Sequence, residues 1–90
     1  MYKLEADFSA DPIWCAKCSF NFDLDDFPLS EDLKKELIRW VVAFEGVVDL
    51  YGSAPREDAV KAHNDWGRLL TARVKSELGD SYKIIFHPYS

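Results

Sequence analysis

Two apolar stripes at helical spacing, separated by a handful of turn-forming residues, limit this chain more than any other feature. Leu33, Leu37, Trp40, Val41, Phe44, Val47, Val48 and Tyr51 form one stripe, and Ala59, His63, Trp66, Leu70, Val74 and Leu78 form the other. A helix turns once in about 3.6 residues, so each set falls on one side of its own helix. The ends of the helices are also marked. Ser30 is placed to cap the first helix, because its hydroxyl can accept from an unpaired N–H of the opening turn, while Glu31 and Asp32 sit well at the positive end of the dipole. Gly46 weakens this helix and Gly52 stops it. The turn Gly52-Ser53-Ala54-Pro55 leads into the second helix, whose first turn tolerates a proline. Gly79 ends that helix by taking up a left-handed conformation.

Two helices with one apolar face each need a surface to cover, and the flanking segments supply strands. Tyr2, Leu4, Ala6 and Phe8 alternate with Lys3, Glu5 and Asp7, the two-residue period of a half-buried strand. Asp11-Pro12 breaks it, and Ile13 to Lys17 reads as irregular. Phe20, Phe22 and Leu24 alternate with Asn21 and Asp23 in a second short strand, closed by Pro28. Residues 81–87 form a last strand with Tyr82, Ile84 and Phe86 on one side. The expected fold is therefore α/β (α+β), in the order β-(β)-α-α-β. A helical hairpin lies on one face of a small sheet, in a two-layer sandwich. Its other sheet face, with Lys3, Glu5, Asp7, Lys83 and His87, should be wet. Strand order is left open. No repeat or linker divides residues 1–90, which read as a single domain.

A chain of 90 residues needs a dense core, and 48% hydrophobic residues with three Trp, four Tyr and six Phe can build one. No apolar run reaches the roughly 18 residues of a spanning helix, and Met1 to Glu5 alternate instead of forming a signal core. A cytoplasmic location is expected. Sixteen acids against eleven bases give a net charge of −5, which favours basic partners over nucleic acid or an anionic membrane. Acidity of this size also serves plain solubility.

Few residues suggest chemistry. Trp14-Cys15-Ala16-Lys17-Cys18 has the spacing of a redox motif, but the residues after Cys18 read as strand or loop, and the helix that would lower a thiolate pKa is missing. Two thiolates two residues apart can supply half of a tetrahedral zinc site. The other half has no obvious source short of a dimer, and the plainer reading is two reduced thiols that act as small apolar groups. His63 lies on an apolar stripe and has no nucleophile at recognisable spacing, so it reads as a core or interface histidine. The glycines are scattered and form no phosphate loop. The chain is expected to be no enzyme and to need no cofactor or resident metal.

The most unusual stretch runs from Asp23 to Asp32, with Asp23, Asp25, Asp26, Glu31 and Asp32 and no Lys or Arg among them. With Trp14 and Phe27 partly buried beside it, such a stretch would pair an aromatic anchor with a steering field. The competing reading is an acidic loop that caps a helix. Calcium fits less well, because the loop lacks the glycine and distal bidentate Glu of a hand-type site.

Pro12-Ile13-Trp14, then Asp26-Phe27-Pro28-Leu29-Ser30-Glu31-Asp32-Leu33, a tryptophan-bearing helix, and Glu77-Leu78-Gly79 before Tyr82-Lys83-Ile84-Ile85-Phe86 resemble a group of small bacterial immunity-like proteins. The gene contexts of that group resemble those of immunity proteins encoded beside polymorphic toxins such as contact-dependent inhibition effectors. The resemblance covers nearly the whole chain. It implies a stoichiometric inhibitor that occludes the active site of a cognate toxin domain, commonly a nuclease. A nuclease tends to be basic because its substrate is polyanionic, and an acidic inhibitor could imitate phosphates. Members resembling this pattern lack the Cys-x-x-Cys pair, which implies that Cys15 and Cys18 do not carry the shared activity. On this reading Trp14, Asp23, Asp25, Asp26, Glu31 and Asp32 contact the toxin, and the chain is a monomer or weak homodimer. The alternative is a small zinc-binding or regulatory interaction domain built on Cys15 and Cys18.

Overall fold

The computed structural model describes residues 1–7, 10–47 and 56–89. Among these, strands β1 (Tyr2–Leu4), β2 (Ile13–Cys15), β3 (Asn21–Phe22) and β4 (Ile84–Phe86) form one mixed sheet in the order β3-β2-β1-β4. β1 pairs antiparallel with β2 and parallel with β4, and β2 pairs antiparallel with β3. Helices α1 (Glu31–Val47) and α2 (Glu57–Leu78) run antiparallel, tied by Ser30 to Glu77, Glu36 to Arg73 and Trp40 to His63. The expected α+β fold, a helical hairpin on one face of a small sheet, is what the chain forms.

The stripes pack as their spacing requires. Leu33, Leu37, Trp40, Val41 and Phe44 of α1 and His63, Leu70, Val74 and Leu78 of α2 are buried. All of these but His63 join Leu4, Ile13 and Ile84 from the sheet in a single hydrophobic cluster. The side chains of Val48, Tyr51 and Phe8 and the whole turn Gly52 to Pro55 lie outside the described residues. Ser30 caps α1 as expected, its hydroxyl accepting from Leu33 N–H at 3.3 Å. Glu77, near the end of α2, then accepts from both the backbone N–H and the hydroxyl of Ser30, at 2.6 and 2.8 Å. Gly79 has φ 75° as foreseen, but its ψ of −173° lies outside the left-handed helical well. That region is open almost only to glycine, so the demand for Gly is stricter than a simple cap would make it.

The first third of the chain departs from the sequence reading. Ile13 to Cys15 is not irregular: it pairs with β1 through Tyr2–Cys15, Lys3–Trp14 and Leu4–Ile13. Three residues are too few for local alternation to reveal a strand. The pairing with β1 supplies the missing definition. The second expected strand shrinks to Asn21–Phe22, because Asp23 starts a 3-10 helix (Leu24–Asp26) instead of continuing it. Asp23 accepts from Asp25 N–H at 2.9 Å while Asp26 accepts from Asp23 N–H at 3.3 Å, a reciprocal capping box that outcompetes an extended backbone. The terminal strands are likewise shorter than expected, although Ala6 stays buried beyond the end of β1.

The register assigns the two sheet faces. Leu4, Ile13, Phe22 and Phe86 are paired neighbours on the helix side, so Lys3, Trp14, Asn21 and Ile85 share the outer side. That face carries the expected charges, with Glu5 3.0 Å from Lys3 and 3.3 Å from His87. It also carries Trp14, half-buried, whose indole N–H donates to the Glu5 carbonyl at 2.9 Å.

Candidate functional site

The 3-10 helix brings the acidic stretch against the first turns of α1 and leaves a groove of about 440 Å³ between them. Asp11, Asp23, Asp25 and Glu31 line the groove on the acidic side, and Lys34, Lys35 and Arg39 come from α1. Ile38 and Leu24 give it apolar surface, and Ile38 stays 41% exposed. A charged rim around an apolar patch is the usual layout of a protein-binding surface.

Local chemistry positions each carboxylate. Asp11 accepts from Leu24 N–H at 2.9 Å and so holds the start of the 3-10 helix. Asp23 and Asp26 are engaged in the capping box. Asp25 and Glu31 share the Lys34 ammonium at 3.0 and 3.3 Å. The Lys34 side chain is largely covered while both acids stay about four-fifths exposed. The Asp25 carboxylate first, with help from Glu31, raises the Lys34 pKa above its ordinary value. Lys34 therefore remains charged and partly neutralises a stretch that in sequence has no internal cation.

Of the six residues expected to meet a partner, three line this groove: Asp23, Asp25 and Glu31. Asp26 and Asp32 are exposed beside it. Trp14 is elsewhere, on the outer face of the sheet, and its indole N–H is already used within the fold. Sequence reasoning missed Asp11, which looked like a strand breaker, and Ile38. The available signal for Ile38 was an apolar residue directly after Leu37 that belongs to neither edge of the buried stripe.

His63 has the core role its stripe position suggested. Its ring stacks on Trp40 with centroids 4.6 Å apart and an 8° interplanar angle, and its carbonyl accepts from the Trp40 indole at 3.0 Å. Burial lowers its pKa, which favours the neutral ring.

Cys15 and Cys18 lie at the tip of the β2–β3 hairpin. The turn is closed by Cys15 N–H to the Phe20 carbonyl at 2.8 Å and by Ser19 N–H to the Cys15 carbonyl at 3.0 Å. Ser19 takes φ 63°, the one positive φ of a non-glycine among the described residues. The backbone N–H groups of Cys18 and then Lys17, followed by the Cys18 thiol, hydrogen-bond Cys15 Sγ and bring its pKa down to about 7. Strand, not helix, follows Cys18. Among the described residues no group of three or more His, Cys, Asp or Glu is placed to hold a metal within one chain, and no helix is long and apolar enough to cross a membrane.

No curated protein matches the chain in sequence. A family model described as Serratia CdiI immunity protein-like matches residues 1–89, which covers α1, α2 and every strand just described, and the chain belongs to that family.

Proposed function

We propose that this chain is a cytoplasmic, non-enzymatic immunity protein that binds a cognate toxin domain in a stoichiometric complex and occludes its active site. The toxin domain is basic, and a nuclease fits best, since a protein that grips polyanionic substrate presents cations around its catalytic residues. Asp23, Asp25, Asp26, Glu31 and Asp32 meet those cations. Ile38 fills an apolar recess between them, and Trp14 is a second contact on the neighbouring sheet face. The single observation that carries this reading is the juxtaposition of exposed carboxylates with exposed Ile38 in one groove, in a chain of an immunity-like family.

Charge in such an interface acts chiefly on the encounter rate, because an oriented field captures the partner before close contact forms. The test is stopped-flow association with the purified toxin domain at several salt concentrations, paired with rescue of growth in cells that express the toxin. Wild type should associate quickly and lose rate as salt rises. Changing Asp25→Lys together with Asp32→Lys should slow association on the order of ten-fold at low salt and flatten the salt dependence. Neither position supplies a cap for the 3-10 helix, so the fold should persist. An unchanged rate would remove this surface from the complex, and failure of wild type to rescue growth would remove the immunity reading itself.

A further inference from the structure

The groove between the 3-10 helix and α1 holds charges of both signs, and they are not equally engaged. Each of its carboxylates has a partner inside the fold. Asp11 accepts from Leu24 N–H, Asp23 accepts from Asp25 N–H, and Asp25 and Glu31 share the Lys34 ammonium. The cations differ. Lys34 is taken up by those two acids, whereas Lys35 and Arg39, both exposed, have no ionic partner among the described residues. Four acids against three bases give the lining a formal charge of −1. A docking face that carried cations alone would set some of them against Lys35 and Arg39.

The periodicity of α1 explains why these two cations stay open. Leu33, Leu37, Trp40, Val41 and Phe44 turn one side of the helix into the core. Lys35, Ile38, Arg39 and Val42 recur at i, i+3, i+4 and i+7 on the opposite side. Ile38 is 41% and Val42 59% exposed. The helix thus carries a second, outward stripe of two apolar residues and two cations. Residues four apart on a helix have neighbouring side chains, so Lys35 and Arg39 can close on a single anionic group beside Ile38. A carboxylate fits there better than a phosphate, because the acids across the groove repel a doubly charged group more strongly than a singly charged one. Those acids call for the reverse, a cation.

We propose that the toxin face seated here is charge-split: an apolar side chain over Ile38, a Lys or Arg beside Asp25 and Glu31, and an Asp or Glu held between Lys35 and Arg39. This deepens the immunity reading and rests on it. Charge of both signs on one docking face lets the chain reject domains that are merely basic, since those bring no anion for α1. Lys35 and Arg39 are then specificity-determining contacts. They act on the lifetime of the complex more than on its formation, because the net charge of −5 already favours encounter with a basic domain.

The experiment measures association and dissociation rates of the full chain with the same purified toxin domain used for stopped flow. Wild type is compared with Lys35→Glu plus Arg39→Glu and with Lys35→Gln plus Arg39→Gln, each checked for a native circular dichroism spectrum. Each Lys→Glu or Arg→Glu change removes one positive and adds one negative charge, so the glutamate pair takes the chain from −5 to −9. Against a toxin face that is basic throughout, that pair should speed association and slow dissociation. The charge-split face gives the opposite sign in the lifetime. Dissociation should quicken on the order of ten-fold or more for the glutamate pair and by about three-fold for the glutamine pair. If the glutamate pair fails to fold, the sign of the change in the glutamine pair decides. Slower or unchanged dissociation would overturn the charge-split face and leave immunity standing, since wild type still binds the toxin and rescues growth. Failure of wild type to bind would remove the immunity reading and this contact with it.

Discussion

Gly67 shows how much of a residue's role depends on groups far away in sequence. It lies on the buried side of α2, where an added Cβ would come within 2.6 Å of Phe86 Cζ and 2.8 Å of Trp40 Cζ2. Trp40 is fully buried and cannot retreat, and the Phe86 ring is held between it and Arg68. Gly67→Ala should therefore destabilise by about 1–3 kcal/mol despite alanine's better helix propensity, because overpacking a filled core costs more than propensity returns. Gly46 in α1 has nothing within 4 Å of the same added atom. There Gly→Ala should stabilise by about 0.5–1 kcal/mol. Urea denaturation of both variants checks the pair, and a loss at both positions would show that the packing around Gly67 is not the cause. In sequence the two glycines look alike, since each interrupts a helical stripe. The difference is made by Phe86 and Trp40, one from a strand and one from the other helix. Ser30 and His63 are the opposite case: a cap and a stripe position are set by immediate neighbours, and both were legible.

Among the elements, the helices were readable because a stripe repeated over several turns gives many independent signs of one period, whereas the strands here have two or three residues each. β2 was missed for that reason, and Leu24 was assigned to a strand because alternation carries no sign of the capping box that turns the chain at Asp23. The cross-helix latch at Ser30 was legible only by half. Its cap on α1 follows from local sequence, but Glu77 reaches it from 47 residues away. Ser30→Ala should cost about 1 kcal/mol through the lost cap. Combined with Glu77→Gln, it should cost less than the sum of the two single changes, because both remove the same hydrogen bond. The latch also predicts an acid dependence. The Ser30 N–H first, and then its hydroxyl, hold the Glu77 pKa below its ordinary 4.5. A carboxylate depressed in the folded state adds stability at pH above about 4.5 and loses it as pH falls through the folded value. Glu77→Gln should show a shallower fall in unfolding free energy over that acid range than wild type. Identical slopes, or full additivity in the cycle, would place the stabilisation elsewhere.

Across the whole molecule, charge is unevenly placed relative to the sheet. The acidic groove lies by the β3 edge, while Lys75 and Lys83 line a depression along β4, the opposite edge. Net charge alone could not reveal this, because a value of −5 says nothing about where the field is strongest. The arrangement separates two ways in which an acidic chain can attract a basic toxin. Each Asp→Lys change adds two charges, so the Asp25 and Asp32 pair takes the chain from −5 to −1. Lys75→Glu with Lys83→Glu takes it from −5 to −9. If total charge governs encounter, the second variant should associate faster by about as much as the first is slowed. If the groove governs it, the lysine changes lie on the far edge of the sheet. They should alter the rate at physiological ionic strength by less than about two-fold, since ions there screen charges beyond a Debye length of about 8–10 Å. We expect the second pattern. A large acceleration would mean steering by the whole molecule, and a slowing would mean that the toxin docks along β4, with the groove around Ile38 turned away from it.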